Sequence, residues 1–271
     1  MHDNNGGDGQ MMLAEMTWQE VKALDPGTVV VAPFGAMEQH GAHLPLETDA
    51  WIATELSRRL DERCDKRLLV LPTQWLGLST HHMGFSGTIT ASVETYLALA
   101  TEIIGSIVQA GFAKLLVLNS HGGNVSALDV VLTKCRLQFP RARIILVTYW
   151  NAAAEQLGLI RESALGGMGH ACELETSLLL ASKPSVVRSD RAHPDGRWSS
   201  SKFLGKDMLS GGAANVSRSF AEISNEGGVG DPRTASSEKG QRFFDAIVGQ
   251  LARLVNDLET GKIDDFISVG G

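Results

Sequence analysis

Four short runs of consecutive apolar residues stand out along the chain: 28–32 (TVVVA), 68–72 (LLVLP), 114–118 (KLLVL) and 143–149 (RIILVTY). None alternates with polar residues. Each therefore reads as a strand buried on both faces, as in a parallel sheet covered by helices. Helical periodicity fills the gaps between them. Asp49 precedes a segment with Trp51, Ile52, Leu56 and Leu60 at helical spacing. Ser92 precedes another in which Leu97, Ile103, Ile104, Ile107 and Val108 recur, and Gly111 is placed to stop it. Asn124 or Ser126 can open a third helix, which Pro140 ends. A fourth is expected to start near His170 and a fifth to span roughly 239–259. Strands alternating with helices at this spacing predict βαβ crossovers and a doubly wound, mostly parallel α/β sheet.

Two stretches break the pattern. Residues 1–10 are polar and glycine-rich and read as a flexible N-terminal arm, leaving 11–271 as one α/β domain. Residues 186–240 are rich in Ser, Gly, Asp and Arg with weak periodicity, which suits a long lid or oligomer-contact loop.

Composition narrows the function classes. With 271 residues, 43% hydrophobic and 20% charged, the chain is an ordinary globular mixture rather than a disordered one. Its formal net charge of −7 argues against nucleic acid as a partner, because phosphate binding favours a basic face. No apolar run approaches the roughly 18 residues that span a bilayer, so no membrane partner is expected. The start has no basic segment leading into an apolar one, and no secretory signal is read there. The three cysteines, Cys64, Cys135 and Cys172, lie far apart and form no CxxC pair. That excludes a disulfide framework and a cysteine zinc site, and it points to a reducing cytoplasm.

The chemistry-bearing residues gather just after the apolar runs. Glu38, Gln39, His40, His43 and Asp49 follow the first. Ser79, His81 and His82 follow the second, Asn119, His121, Gly122, Gly123 and Asn124 the third, and Trp150 and Asn151 the fourth. Parallel strands end on one edge of the sheet, where ligand crevices of open α/β folds form, so these clusters are expected to converge. Glu38 and His40 are two apart and share a side in an extended segment. Glu, His and Asp together suit a hard or borderline divalent metal, and His121 can join from the third strand end. Each has a plain structural account taken singly: Asp49 could cap a helix, Glu38 could be a solvated carboxylate, and His121 could sit in an ordinary βα turn. Taken jointly at one edge they favour a metal site. His170, Glu173 and Glu175 add three candidates at an abrupt switch from glycines to an apolar helix, where His170 and Glu173 would share a face. Cys172 reads as a small packing residue.

These motifs, Glu38-x-His40-Gly-x-His43-Leu-Pro-x-x-Thr-Asp49, Asn119-x-His121-Gly-Gly-Asn124 and His170-Ala-x-x-x-Glu175-Thr-Ser, resemble the creatininase (creatinine amidohydrolase) family. Gly77-x-Ser79, Gly228-Val-Gly230-Asp231-Pro and Glu238-Lys-Gly resemble its other loops, and the likeness covers roughly residues 28–240. The resemblance implies a single-domain, three-layer α/β/α sandwich, a homohexamer, and two divalent ions (Zn²⁺, Mn²⁺ or Fe²⁺) sharing a carboxylate. By that resemblance Asp49 bridges, Glu38 and His121 hold one ion, and His40 and Glu175 hold the other. His170 is the acid/base or polarising residue with Glu173 assisting, and Ser79, Gly122 and Trp150 meet the substrate. The chain departs from creatininase itself at Gly122 and Gly123, where that enzyme carries Tyr and Glu, and it lacks the Trp-Asp pair ahead of His170. In carrying His-Gly-Gly-Asn it is similar to formamide hydrolases, to a peptide-cofactor maturation protease and to hydrolases of cyclic sugar ketones.

The expected activity is hydrolysis of a C–N bond, amide or cyclic amide, of a small molecule by metal-activated water, with residues 195–235 excluding bulk water. Two other readings compete with it: metal-dependent opening of a cyclic ketone, and a non-catalytic, metal-stabilised binding subunit. Few Arg or Lys residues lie beside the motifs in sequence, which disfavours phosphoesters.

Overall fold

The computed structural model describes residues 10–65 and 67–265. Apart from Gln10, the expected N-terminal arm lies outside them.

The apolar runs become strands of one five-stranded parallel sheet. These are β1 (Met11–Met12), β2 (Val29–Phe34), β3 (Leu69–Val70), β4 (Lys114–Asn119) and β5 (Arg143–Thr148), in spatial order β1-β3-β2-β4-β5. The reversal of order between β2 and β4 is where a doubly wound sheet opens a crevice at its carboxyl edge. Alternate residues of each strand feed two cores. Val29, Val31, Leu68, Val70, Leu116 and Leu118 face one layer of helices. Val30, Ala32, Leu69, Leu71, Leu115 and Val117 face the other. The result is the expected α/β/α sandwich, and a run buried on both sides needs no alternation of polar residues. β2 runs through Pro33 in the middle of the sheet. The ring removes one backbone donor on the side of β3, while the Pro33 carbonyl accepts from the Gln74 N–H (2.9 Å).

Helices α1 (Thr48–Arg63), α4 (Glu173–Ser182) and α5 (Ser237–Thr260) cover the first face, and α2 (Val93–Gln109) and α3 (Val125–Gln138) the second. Ser92 caps α2 through a hydrogen bond from the Thr95 N–H (3.2 Å), and Gly111 follows it at φ +108°, as the sequence predicts. Asp49 is not a cap: α1 begins one residue earlier, at Thr48, and Asp49 lies in its first turn. Asn124 stands at the N-cap position of α3, one of the two starts the sequence offers, but its side chain makes no capping bond. Its side chain donates to the Gly35 carbonyl (3.0 Å) and accepts from the Leu78 N–H (3.0 Å), tying together the loops after three strands.

The fourth helix starts at Glu173, later than expected, so His170 stands ahead of it. There His170 exchanges backbone hydrogen bonds with Val229 (2.7 and 2.9 Å), and Ala171 follows at φ +51°. A left-handed alanine is held only where its surroundings over-determine it. Much of 186–240 is irregular, with a short helix at Phe220–Ile223. It is fastened by bridges from Asp195 to Gly230 and by Asp207, which accepts from Gly166 and Arg161. Among the described residues no helix is long and apolar enough to cross a membrane, and all three cysteines are free and buried.

Candidate metal centre

Five of the residues singled out in the sequence meet at the carboxyl ends of β2 and β4, all buried. Asp49 lies between two imidazoles: its Oδ1 is 3.2 Å from Nε2 of His40, and its Oδ2 is 2.9 Å from Nδ1 of His121. Glu175, in the first turn of α4, brings Oε1 to 4.0 Å from the same His40 nitrogen. On the opposite flank, Glu38 Oε2 is 3.3 Å from His121 Nε2. Glu38 Oε1 is 3.1 Å from His82 Nε2 and 3.8 Å from His170 Nδ1. Donor atoms of His40, Asp49 and Glu175 lie within 4.8 Å of one another, as do those of Glu38, His81 and His121 and those of Glu38, His40 and His170.

The backbone orients these rings. His40 Nδ1 faces the Glu38 carbonyl at 3.1 Å, so a proton donated there leaves Nε2 toward the two carboxylates. Nε2 of His121 faces the Leu78 carbonyl at 3.0 Å, leaving Nδ1 toward Asp49. Metal-binding imidazoles are held in this way. Asn119 fixes His121 from behind, accepting its N–H (3.2 Å) and donating to its carbonyl (2.8 Å).

Both oxygens of Glu38 and Oδ2 of Asp49 are buried and accept no hydrogen bond, although imidazole nitrogens lie within 3.3 Å. Charged groups that crowd together without hydrogen-bonding geometry are aimed at a common point. An unpaired buried carboxylate oxygen is costly, and a cation among these atoms would satisfy all three. The donor set therefore fits divalent metal.

Electrostatics agree. Burial pushes the Glu38 and Glu175 carboxyls up to about 7. Burial also works against charge on His40 and His121, but the neighbouring carboxylates outweigh it and lift them to about 10 and about 9. His40 and His121 in turn hold Asp49 far below the usual carboxylate range, against its burial. The cluster attracts positive charge, and protons supply it where no metal does. His170 and His82 are pushed well below the usual imidazole range by burial and by neighbouring imidazoles, and so are neutral.

The cavity above this cluster holds about 1160 Å³. Gly122, Trp150 and His170 line it. Ser79 does not: it is fully buried behind His121, with Oγ 3.5 Å from Nε2 of that ring. Glu173 is a correction. Because α4 starts at Glu173, His170 and Glu173 share no helical face, and the carboxylate points away from the centre. It accepts from the N–H groups of Glu162 (2.9 Å) and Ser163 (2.8 Å) and pairs with Lys239 (2.7 Å).

Sequence reasoning left several residues without roles. Gln39 lies between Glu38 and His40 and so points to the other side of the extended segment. Its amide reaches His82 Nδ1 (2.6 Å) and the Gly227 carbonyl (2.9 Å). Phe220 packs on His82 and His170, with ring centroids 4.0 and 4.9 Å away. His81 and His82 were visible as a pair after the second strand, yet nothing in their spacing separated ligands from loop residues. Arg197, Trp198 and Arg218 reach the cavity from the distant irregular segment, so guanidinium groups that are absent beside the motifs in sequence are present in space.

A family model described as creatinine amidohydrolase matches residues 14–255. The chain is 32% identical over 251 residues to the mycofactocin precursor peptide peptidase of Mycobacterium tuberculosis (strain CDC 1551 / Oshkosh), covering 90% of each chain. Among solved structures it resembles a mutant creatininase of Zn-Zn type, with a TM-score of 0.75 and 26% identity over 92% of this chain and 98% of that one. It also resembles a manganese creatininase, with a TM-score of 0.74 and 25% identity at the same coverage.

Proposed function

The chain belongs to the creatininase family, and from that premise we propose that it hydrolyses an amide C–N bond with two divalent ions. Glu38 and His121 hold one ion, His40 and Glu175 the other, and Asp49 lies between them. The observation that carries this reading is the trio of unpartnered, buried carboxylate oxygens on Glu38 and Asp49. The Zn-Zn and manganese forms of the similar creatininases support zinc or manganese as the ions. The three free, buried cysteines suit a reducing cytoplasm.

When bound, the two ions supply a water whose pKa falls from 15.7 toward about 7, and a Lewis acid for the carbonyl oxygen. The chain does the rest. His170 donates its Nε2 proton to the Gln39 carbonyl (2.7 Å), so Nδ1, toward Glu38, is the atom free to take a proton. Nδ1 carries the proton from the attacking water to the departing nitrogen. Gln39 and Phe220 hold the imidazole in place. The segment around Trp198 and Phe220 walls the reacting bond from bulk water.

The substrate we infer is larger than creatinine. A cavity of about 1160 Å³ exceeds the roughly 300–1,000 Å³ of ordinary small-molecule sites. Arg197 and Arg218 in its wall favour a substrate with an anionic group. A peptide or peptide-like amide meets both conditions, in line with the peptidase relative. The test is a panel of carboxylate-bearing peptides, formamides, creatinine and cyclic ketones, assayed with Zn²⁺ or Mn²⁺ added to metal-stripped protein. Metal-dependent cleavage of peptide amides is expected. Turnover confined to cyclic ketones would establish the ring-opening reading instead, and two bound ions with no turnover of any class would favour a binding subunit.

A further inference from the structure

The geometry points to His81 as an additional ligand of the cation between Glu38 and His121. This rests on the reading of the centre as a two-metal site. Donor atoms of Glu38, His81 and His121 lie within 4.8 Å of one another, as those of His40, Asp49 and Glu175 do on the other flank. The His81 and His121 rings are stacked, 12° apart with centroids 5.7 Å apart. His81 is half-buried, and among the described residues neither of its nitrogens is engaged in a hydrogen bond or ion pair. Its ring meets only those of His82, His121 and Phe220.

Gly123 supplies an independent reason. A Cβ there would stand 2.1 Å from the Leu78 carbonyl oxygen, 2.5 Å from His121 Nε2 and 2.8 Å from His81 Cε1. Only a residue without a side chain lets both imidazoles close on this point. The same glycine sits in the turn that carries His121, so the loop that presents one ligand also clears space for the other.

The two flanks then differ in donor chemistry. Glu38, His81 and His121 offer one carboxylate and two imidazoles, whereas His40, Asp49 and Glu175 offer two carboxylates and one imidazole. The nitrogen-richer flank selects zinc or cobalt over manganese, so the two positions are predicted to fill in order, the Glu38 flank first.

The experiment uses the full chain loaded with Co²⁺, comparing wild type with His81→Ala, His81→Gln and His81→Glu. Stoichiometry is read by elemental analysis, affinity by chelator competition, and the ligand field by visible absorption. In His81→Ala and His81→Gln one cation is expected to bind as in wild type. The Kd of the other should rise by at least the roughly 10–100-fold that loss of a mere outer-shell partner costs, with a change in the cobalt spectrum. His81→Glu should recover affinity with an altered spectrum. Two cations bound at wild-type affinity with an unchanged spectrum in folded His81→Ala would overturn the inference alone. Fewer than two cations in the wild-type protein would overturn the two-metal reading beneath it.

Discussion

Asp49 Oδ2 lies 2.9 Å from His121 Nδ1 and yet accepts no hydrogen bond from it. With Asp49 Oδ1 3.2 Å from His40, one carboxylate faces both halves of the centre. The helix start produces this arrangement. The first turn of α1 places Asp49 against the strand-end loops, and Ser120 Oγ donates to its carbonyl (2.8 Å).

Asp49→Asn tests that position. The amide keeps the shape but removes the charge both ions would share. Loss of both metals by elemental analysis and a fall in turnover to the metal-free level are expected. Near-normal activity with two ions bound would refute the bridging role.

Metal binding is expected to release protons. Without metal His40 and His121 titrate at about 10 and about 9, so both are protonated at neutral pH, and ligation requires them neutral. One protonated imidazole serves each ion, His121 beside Glu38 and His40 beside Glu175, and those two carboxyls, at about 7, are themselves part-protonated at neutral pH. Each affinity should therefore rise by more than tenfold per pH unit below pH 7, by about tenfold per unit above it, and level off above the corresponding imidazole pKa. Calorimetry in buffers of different ionisation enthalpy measures the count, with between one and two protons per ion expected at pH 7. Metal affinity independent of pH between 6 and 9 would contradict the assignment.

Glu173→Gln separates stability from chemistry. Burial alone would raise the Glu173 carboxyl, but Lys239 and the N–H groups of Ser163 and Glu162 outweigh it and hold it low. A folded-state pKa below the unfolded one gives stability that is present above the unfolded value and lost as pH falls through the folded one. The variant leaves Lys239, itself 4% exposed, facing an uncharged amide. Breaking a buried pair costs about 3–5 kcal/mol, and Glu162 Oε1 at 3.2 Å from Lys239 puts the loss toward the lower end. Denaturant unfolding should show that loss at pH 7 and a smaller one near pH 4, while turnover per metal-loaded molecule stays within a few-fold. A selective collapse of turnover in stable protein would restore Glu173 to the reaction.

The sheet, its parallel sense and the convergence of the clusters were legible because unbroken apolar runs encode two-sided burial and parallel strands share an edge. That Glu38, His40, Asp49, His121 and Glu175 come together was legible from their residue types after the apolar runs and from the resemblance to the family. Glu173 was misread for a local reason: the left-handed Ala171 delays the start of α4, and nothing in His-Ala-Cys-Glu announces that backbone conformation. Ser79 was misplaced because the loop after β3 turns its hydroxyl under His121 rather than into the cavity. The contributions of His81, Phe220 and Arg197 depend on tertiary folding of irregular segments, which no periodicity reports.

Adjacent glycines in the His121 turn are predicted to respond in opposite ways. A Cβ at Gly122 meets nothing within 4 Å and would project into the cavity, whereas one at Gly123 meets the Leu78 carbonyl at 2.1 Å. Gly122→Trp should therefore fold and load metal normally while filling part of the substrate space. It is expected to lower kcat/KM for peptide amides by about tenfold or more, a loss of roughly 1.4 kcal/mol of transition-state stabilisation, and to spare formamide-sized substrates. Gly123→Ala should instead lower Tm and metal content together, because backbone rather than a flexible side chain must give way. Thermal unfolding, metal analysis and paired kinetics on the two variants check this. Equal losses on large and small substrates in Gly122→Trp would show that Gly122 does not border the bound substrate.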